Sequence, residues 1–242
     1  MSSSIIAPLT STSQHFEVER RLTGSVVNRT THEQRDAMYA LFETYFLGTD
    51  RARFESDLAE KDGVILLRDG DRIRGFSTFL WIREKEFVAF FSGDTIVDRE
   101  YWGETVLSRM WAQIAFAEAD RIDTKVYWFL ISSGYKTWRF LPVFFREFYP
   151  NPATPTPPHI QAIIDSLGTR KFGDQYADGI VRFCNATPLR RGVAEITEER
   201  LRDPNIAFFA RANPGHANGD ELACLTEVSR SNLTRAGQRM LR

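Results

Sequence analysis

The residues best suited to chemistry lie in the stretch Thr95–Met110, TIVDREYWGETVLSRM. It reads as a strand end, a tight polar turn around Gly103, and an amphipathic helix with Val106, Leu107, Met110, Trp111, Ile114 and Ala115 on one face. Such a junction points helix N-terminal amides, and the positive end of the helix dipole, at a phosphate or pyrophosphate. The turn is poor in glycine, so it either binds a pyrophosphate imperfectly or has stopped doing so. Ser132-Ser133-Gly134 invites a nucleophile reading, but it has no G-x-S-x-G context and no histidine close in sequence. Cys184 and Cys224 form no metal spacing, and His15, His32, His159 and His216 are scattered, so no metal site is expected.

The elements that must hold this turn are legible around it. A strand at Gly24–Arg29 leads into Thr31-His-Glu-Gln34, which fits a capping box. The helix that follows carries Met38, Leu41, Phe42, Tyr45 and Phe46 on one face and is expected to end at Gly48. Val64–Leu67 and Ile73–Ile82 flank Arg68-Asp69-Gly70-Asp71, a hairpin signal. A third strand, Glu86–Val97, is long enough that Gly93 marks a bulge or splay. Lys125–Ile131 reads as a buried strand, and the segment after it as helical but broken at Pro142, with Pro142 opening the second piece. Beyond the stiff linker Asn151–Pro158, the pattern predicts a helix at His159–Leu167, strands at Ala177–Phe183 and Asn205–Arg211, and a helical stretch over Glu221–Leu241.

Composition bounds the class. The chain has 242 residues, 43% of them hydrophobic and 26% charged, with a net charge of −1, which suits one globular domain with decorations. Near-neutrality gives no electrostatic case for nucleic acid or an acidic membrane surface. Phenylalanine is frequent (19, against 7 tyrosines) and clusters at Phe87–Phe91 and Phe140–Phe148, as core or as the wall of an apolar channel. The first residues, MSSSIIAPLTSTSQ, lack the basic lead-in of a secretory signal, and no run approaches a membrane span. The expectation is a cytoplasmic protein with reduced thiols. Residues 1–20 are expected to be flexible, 21–150 to form the core, and 151–242 to complete the sheet and cap it.

The order strand, helix, hairpin, strand, turn, helix, strand, helix resembles the Gcn5-related N-acetyltransferase (GNAT) superfamily over residues 24–150. In that family the turn after the fourth strand binds the pyrophosphate of coenzyme A, a common form reading EYRGKGIGSALL. This chain has EYWGETVLSRMW from Glu100 to Trp111, with Glu100, Tyr101, Gly103 and Ser108 in register. Trp102 replaces the usual basic residue, Thr105 a glycine and Leu107 a small residue, while Glu104 adds a negative charge beside the anion; these changes all weaken binding of free CoA. The tyrosine that protonates the leaving thiolate in many members falls on Phe144, which has no proton to give.

The resemblance implies an α/β fold with a GNAT-like mixed central sheet flanked by helices, and acyl transfer from a thioester to an amine by direct attack. It places backbone groups of Ile96 and Val97 at the thioester carbonyl and the pantetheine, and Trp102, Gly103, Glu104, Thr105 and Val106 at the pyrophosphate. Asp94, two residues before Ile96 on one side of an ideal strand, can take the amine's proton directly or through water, though an aspartate beside Gly93 is more often solvated or hydrogen-bonded as part of the structure. Tyr135 can substitute for the missing acid or serve only as a buried anchor, and Lys136 and Arg139 can bind an anion at the rim or form a solvated face. The donor is acyl-CoA or an acyl carrier protein, and the acceptor a small-molecule or peptide amine, with no metal, membrane or nucleic acid involved and a homodimer left open. The alternative is a non-catalytic module of the same fold that binds a ligand or a protein.

Overall fold

The computed structural model describes residues 22–241, so the expectation for residues 1–20 lies outside the described residues. In chain order the elements are β1 (Thr23–Val27), α1 (His32–Tyr45), α2 (Arg51–Ala59), β2 (Gly63–Asp69), β3 (Arg72–Arg83) and β4 (Phe87–Val97). There follow α3 (Val106–Arg121), β5 (Lys125–Ser132), α4 (Tyr135–Trp138), α5 (Phe140–Phe144) and α6 (Pro158–Phe172). The chain closes with β6 (Tyr176–Ala177), β7 (Ile180–Val181), α7 (Pro204–Ala212), β8 (Glu221–Glu227) and α8 (Arg235–Met240). The eight strands form one mixed sheet in the order β1-β2-β3-β4-β5-β8-β7-β6. Only β4 and β5 pair in parallel, with α3 as the crossover between them. Among the described residues no helix is long and apolar enough to cross a membrane.

Local chemistry explains most boundaries. Thr31 caps α1 through the expected box: its Oγ1 accepts from Gln34 N at 3.3 Å, and Gln34 Oε1 accepts from Thr31 N at 2.9 Å. The helix stops at Tyr45 rather than at Gly48, because Phe46 is already extended; Gly48 supplies a turn at φ +65° two residues later. The expected hairpin turns at Gly70, with φ +55°. The break before Pro142 falls at Arg139, and Pro142 is the third residue of α5 rather than its first, still within the turn whose amides need no intrahelical acceptor.

Three expectations in the last third are corrected. Ala177–Phe183 is not one strand but the short hairpin of β6 and β7, turning at Asp178-Gly179 where both residues have positive φ. Asn205–Arg211 is helical, not a strand: Asp203 caps α7 by accepting from Asn205 N at 2.9 Å, Pro204 is its first residue, and Ile206 and Phe209 bury one face. Glu221–Leu241 is not one helix, because Leu222–Thr226 is buried throughout as a central strand, and only Arg235–Met240 is α-helical, after a 3-10 turn at Arg230–Asn232. The segment α2 was not anticipated, since RARFESDLA offers only Phe54 and Leu58 to the core.

The sheet packs on both faces. α3 and the later helices α4, α5, α7 and α8 cover one face, where Val88, Phe90, Trp111 and Trp128 sit in one cluster. The opposite face is covered by α1 and α2 over one half, with Phe42, Phe54 and Ile96, and by α6 over the other, with Phe91, Phe129 and Ile164. The phenylalanine clusters therefore divide between the two faces as core.

Candidate active site between the splayed strands

β4 contains a bulge at the position expected from Gly93. Ser77 of β3 pairs with Thr95 and Phe79 with Ser92, so Thr78 alone faces both Gly93 and Asp94. The extra residue reverses the alternation along the strand. Before it, even-numbered Val88 and Phe90 face α3; after it, even-numbered Ile96 faces α1 and α2. Gly93 is required by crowding: a Cβ there would lie 2.5 Å from Thr78 Oγ1 and 2.9 Å from Lys61 Cε.

Past the bulge the two parallel strands separate. Their pairing ends at Ser92 and Leu130, yet β4 runs on to Val97 and β5 to Ser132. A cavity of about 700 Å³ opens in the gap, bounded by Gly93–Val97 from β4, Ile131–Gly134 at the end of β5, and side chains of α1, α2 and α6. On the β3 side, Asp98 N–H donates to Arg74 O at 2.7 Å, and the register then makes Ile96–Phe76 a hydrogen-bonded pair. The backbone groups of Thr95 and Val97 therefore point into the gap. The edge that can hold an extended ligand arm thus belongs to Val97 and Thr95, whereas Ile96 directs its backbone to β3 and presents only its side chain.

The turn after β4 is tied down from two sides. Asp98 accepts from Tyr45 Oη at 3.0 Å and from Arg74 at 3.1 Å, and Tyr101 Oη donates to Asp69 at 2.5 Å. Trp102 folds back over the gap, its indole N–H donating to Val97 O at 2.8 Å. Lys136 Nζ lies 3.3 Å from the centre of the Trp102 ring and the Arg99 guanidinium 5.1 Å away. Burial, and then the charge of Arg99, lowers the Lys136 pKa. Basic charge thus stands beside the turn although position 102 is itself a tryptophan. Gly103 adopts φ +112°, and Thr105 makes no side-chain cap, so the first turn of α3 keeps uncapped amides.

The structure brings Asp94, Ile96, Val97, Trp102, Gly103 and Glu104 to the cavity wall, along with Lys136. It does not bring Thr105, Val106 or Tyr135 there. Thr105 and Val106 lie behind the turn as it enters α3. Tyr135 is buried at 4% exposure in the core on the α3 face with Arg200 over its ring at 5.4 Å, which keeps it out of the cavity wall. Arg139 pairs instead with Asp203 at 3.8 Å. Phe144 stands against Phe140 at 5.4 Å and lines a second void of about 40 Å³ on the α3 face. Ser132 Oγ donates to Gly134 O at 2.9 Å and is spent on its own turn.

Glu221, at the start of β8, is a cavity residue that the sequence did not reveal, as are Arg53 and Asp57 of α2. Glu221 was hidden inside an expected helix, and only the pairing of β8 beside β5 carries it to the mouth of the gap. Burial pushes the Glu221 carboxyl up to about 8, aided by the charge of Asp94, against the opposing Arg53. Burial likewise raises Asp94 to about 6, with Asp57 adding to the shift while Lys61 and Arg53 oppose it. Two carboxyls with pKa values pushed apart around neutrality suit one to hold a proton and the other to accept one.

No family model matches the chain, and no curated protein does. Solved structures do, among them GNAT family N-acetyltransferases. One from Escherichia coli in complex with CoA is 15% identical over 50% of this chain and 68% of its own length, at a TM-score of 0.35. A Mycobacterium tuberculosis protein in complex with CoA is 10% identical over 83% and 97% of the two chains, at 0.40. A conserved Enterococcus faecalis protein of unknown function is 14% identical over 53% of this chain, at 0.40, and the match spans 33% of that protein's length.

Proposed function

We propose that this protein is an N-acyltransferase that moves an acyl group from a thioester to an amine by direct attack. The observation that carries the reading is the gap itself: two parallel strands part beyond Ser92 and Leu130, and a bulge in one of them sets Asp94 at the opening. An extended pantetheine arm fits the free edge of Thr95 and Val97, with its phosphate toward the uncapped start of α3 and Lys136. The amine nitrogen attacks the thioester carbonyl, a C–N bond forms, and the C–S bond breaks. The proton leaves the amine for Asp94, directly or through water, while the thiolate takes its own from solvent, since Phe144 has none to give. The donor is acyl-CoA, with an acyl carrier protein as the variant that asks less of a glycine-poor turn, and the setting is cytoplasmic.

One contact favours a second reading. The Trp102 indole occupies the Val97 carbonyl that a pantetheine arm would use, as expected of a fold that binds a partner without catalysis. Calorimetric titration with CoA, acetyl-CoA and a long-chain acyl-CoA separates the two. Micromolar binding of an acyl-CoA, followed by turnover with an amine, supports the transferase. Failure of all three, together with failure of an acyl carrier donor in a turnover assay, supports the binding module.

A further inference from the structure

The α2 side of the cavity holds polar groups with no hydrogen-bond partner among the described residues. Thr78 Oγ1 has no hydrogen-bond partner though its residue is 1% exposed, and it faces the bulge across the bare Cα of Gly93. The carboxyls of Asp94 and Glu221 line the cavity with no hydrogen bond or ion pair among the described residues. The cations nearby are already engaged. Lys61 pairs with Asp57 at 2.6 Å and Lys171 with Glu60 at 2.7 Å. Arg53 donates to Asn185 O and lies over the Phe183 ring at 5.2 Å. Of these cations only Arg53 has no carboxylate partner among the described residues, so the two carboxyls share one guanidinium, which leaves the pocket short of positive charge.

The walls around the pair are aromatic. Phe91, Phe172 and Phe183 form a continuous row, with ring centres 6.0 and 5.8 Å apart, and Phe42, Phe46 and Phe54 line the side toward α1 and α2. Ring faces attract cations as well as apolar bodies. We infer that the acceptor is a primary amine with an apolar body and no carboxylate of its own, its ammonium group seated between Asp94 and Glu221 and its body against these rings. The inference rests on the acyl-transfer reading for the fate of the amine, but the ammonium site stands on its own geometry. A carboxylate on the carbon bearing the amine would face the same two acidic groups and be repelled. Proton transfer balances: the bound ammonium gives one proton to the Glu221 carboxylate. Once the C–N bond forms, the nitrogen passes its second proton to Asp94, directly or through water, while the C–S bond breaks and the thiolate takes a proton from solvent.

The test titrates the full chain with 2-phenylethylamine, phenylalanine and 2-phenylethanol, which share one body and differ in charge. The amine is expected to bind at least about tenfold tighter than either of the others, equivalent to about 1.4 kcal/mol. Asp94→Asn and Glu221→Gln, both close in shape to the originals, are each expected to weaken the amine about tenfold and leave 2-phenylethanol unchanged. Titration near pH 7 in two buffers of different ionisation enthalpy is expected to show proton release as Glu221 ionises against the ammonium. The charged groups around it are Asp94, Arg53 and Asp57, with Lys61 and Lys171 farther along the wall. Phenylalanine binding as tightly as the amine, no amine binding at all, or amine binding indifferent to both substitutions overturns the inference. Acetyl-CoA is titrated in parallel. Amine binding without thioester binding or turnover sinks the transferase and keeps the ammonium site, whereas turnover of amino acids in preference to amines sinks the inference alone.

Discussion

Glu221→Gln should change how stability depends on pH, and by an amount the structure sets. In the unfolded chain this carboxyl ionises near its ordinary 4.5, whereas the fold holds its proton to about 8, through burial and then the charge of Asp94. Between those values the unfolded state sheds a proton that the native state keeps, so stability falls as pH rises. At about 1.4 kcal/mol per pH unit, the wild type loses about 1 kcal/mol to this group at pH 5 and about 4 kcal/mol at pH 8. Glu221 borders an open cavity, and water there screens it, so roughly half of the difference, about 2 kcal/mol, is expected to survive. Glutamine carries no charge and escapes the penalty. Urea unfolding of both proteins at pH 5, 6.5 and 8 should show the variant gaining on the wild type by about 2 kcal/mol across the range. The same pair in an Asp94→Asn background should gain less, because the second-largest cause of the shift is gone. A wild-type-to-variant difference that stays flat with pH would falsify the assignment of a buried, coupled carboxyl pair.

Three further substitutions probe the site and its supports. Gly93→Ala places a methyl 2.5 Å from Thr78 Oγ1 and should cost about 1–3 kcal/mol in chemical unfolding while reducing turnover, because the bulge must shift; a neutral effect would mean the bulge is not tightly packed. Trp102→Phe keeps a ring for Lys136 but frees the Val97 carbonyl, so acetyl-CoA should bind several-fold tighter in calorimetry, and unchanged or weaker binding counts against the proposed arm site. Asn232 accepts from Glu147 N and donates to Glu147 O, Glu227 O and Thr226 Oγ1 at 2.8 to 3.1 Å, so Asn232→Ala should lower stability by about 2–3 kcal/mol in denaturant titration.

Sequence periodicity served well where one element carried a strong local signal. The capping box of α1, the Gly70 hairpin and the Gly93 bulge were all readable, because each depends on residues within a few positions of one another. α2 was missed, since its two core residues give no period that a charged nine-residue segment can reveal. β8 was mistaken for helix because a strand buried on both faces shows no alternation. The site inherited both errors. Asp94, Val97 and the turn at Trp102 to Glu104 were legible as candidates and do line the cavity, while Glu221 on β8 and the charges of α2 became visible only once the sheet order put them opposite the bulge. Tyr135 reads as a plausible acid from its place at a helix start, but only the fold shows which way its ring turns.

On the acyl-transfer reading proposed above, the bulge is what lets donor and acceptor groups meet in a sheet. An unbroken strand shows alternate residues to opposite faces, so Asp94 would share its face with Phe90 and point into the α3 core. One extra residue reverses that alternation. Asp94 is thereby delivered to the α2 and α6 side with Glu221, while Thr95 goes to the α3 side, where its Oγ1 meets Ser77 Oγ at 2.8 Å. The same irregularity coincides with the point where β4 and β5 part, because a bulged strand twists more sharply than its neighbour and cannot keep a parallel register. In the proposed acyl transfer, a thioester entering from the α3 turn and an amine held by Asp94 on the other face would have one place to meet, the gap beside Val97. Filling Gly93, or removing the extra residue, should disturb the donor edge and the acceptor pair together, whereas Trp102→Phe should alter the donor side alone and Glu221→Gln the acceptor side alone.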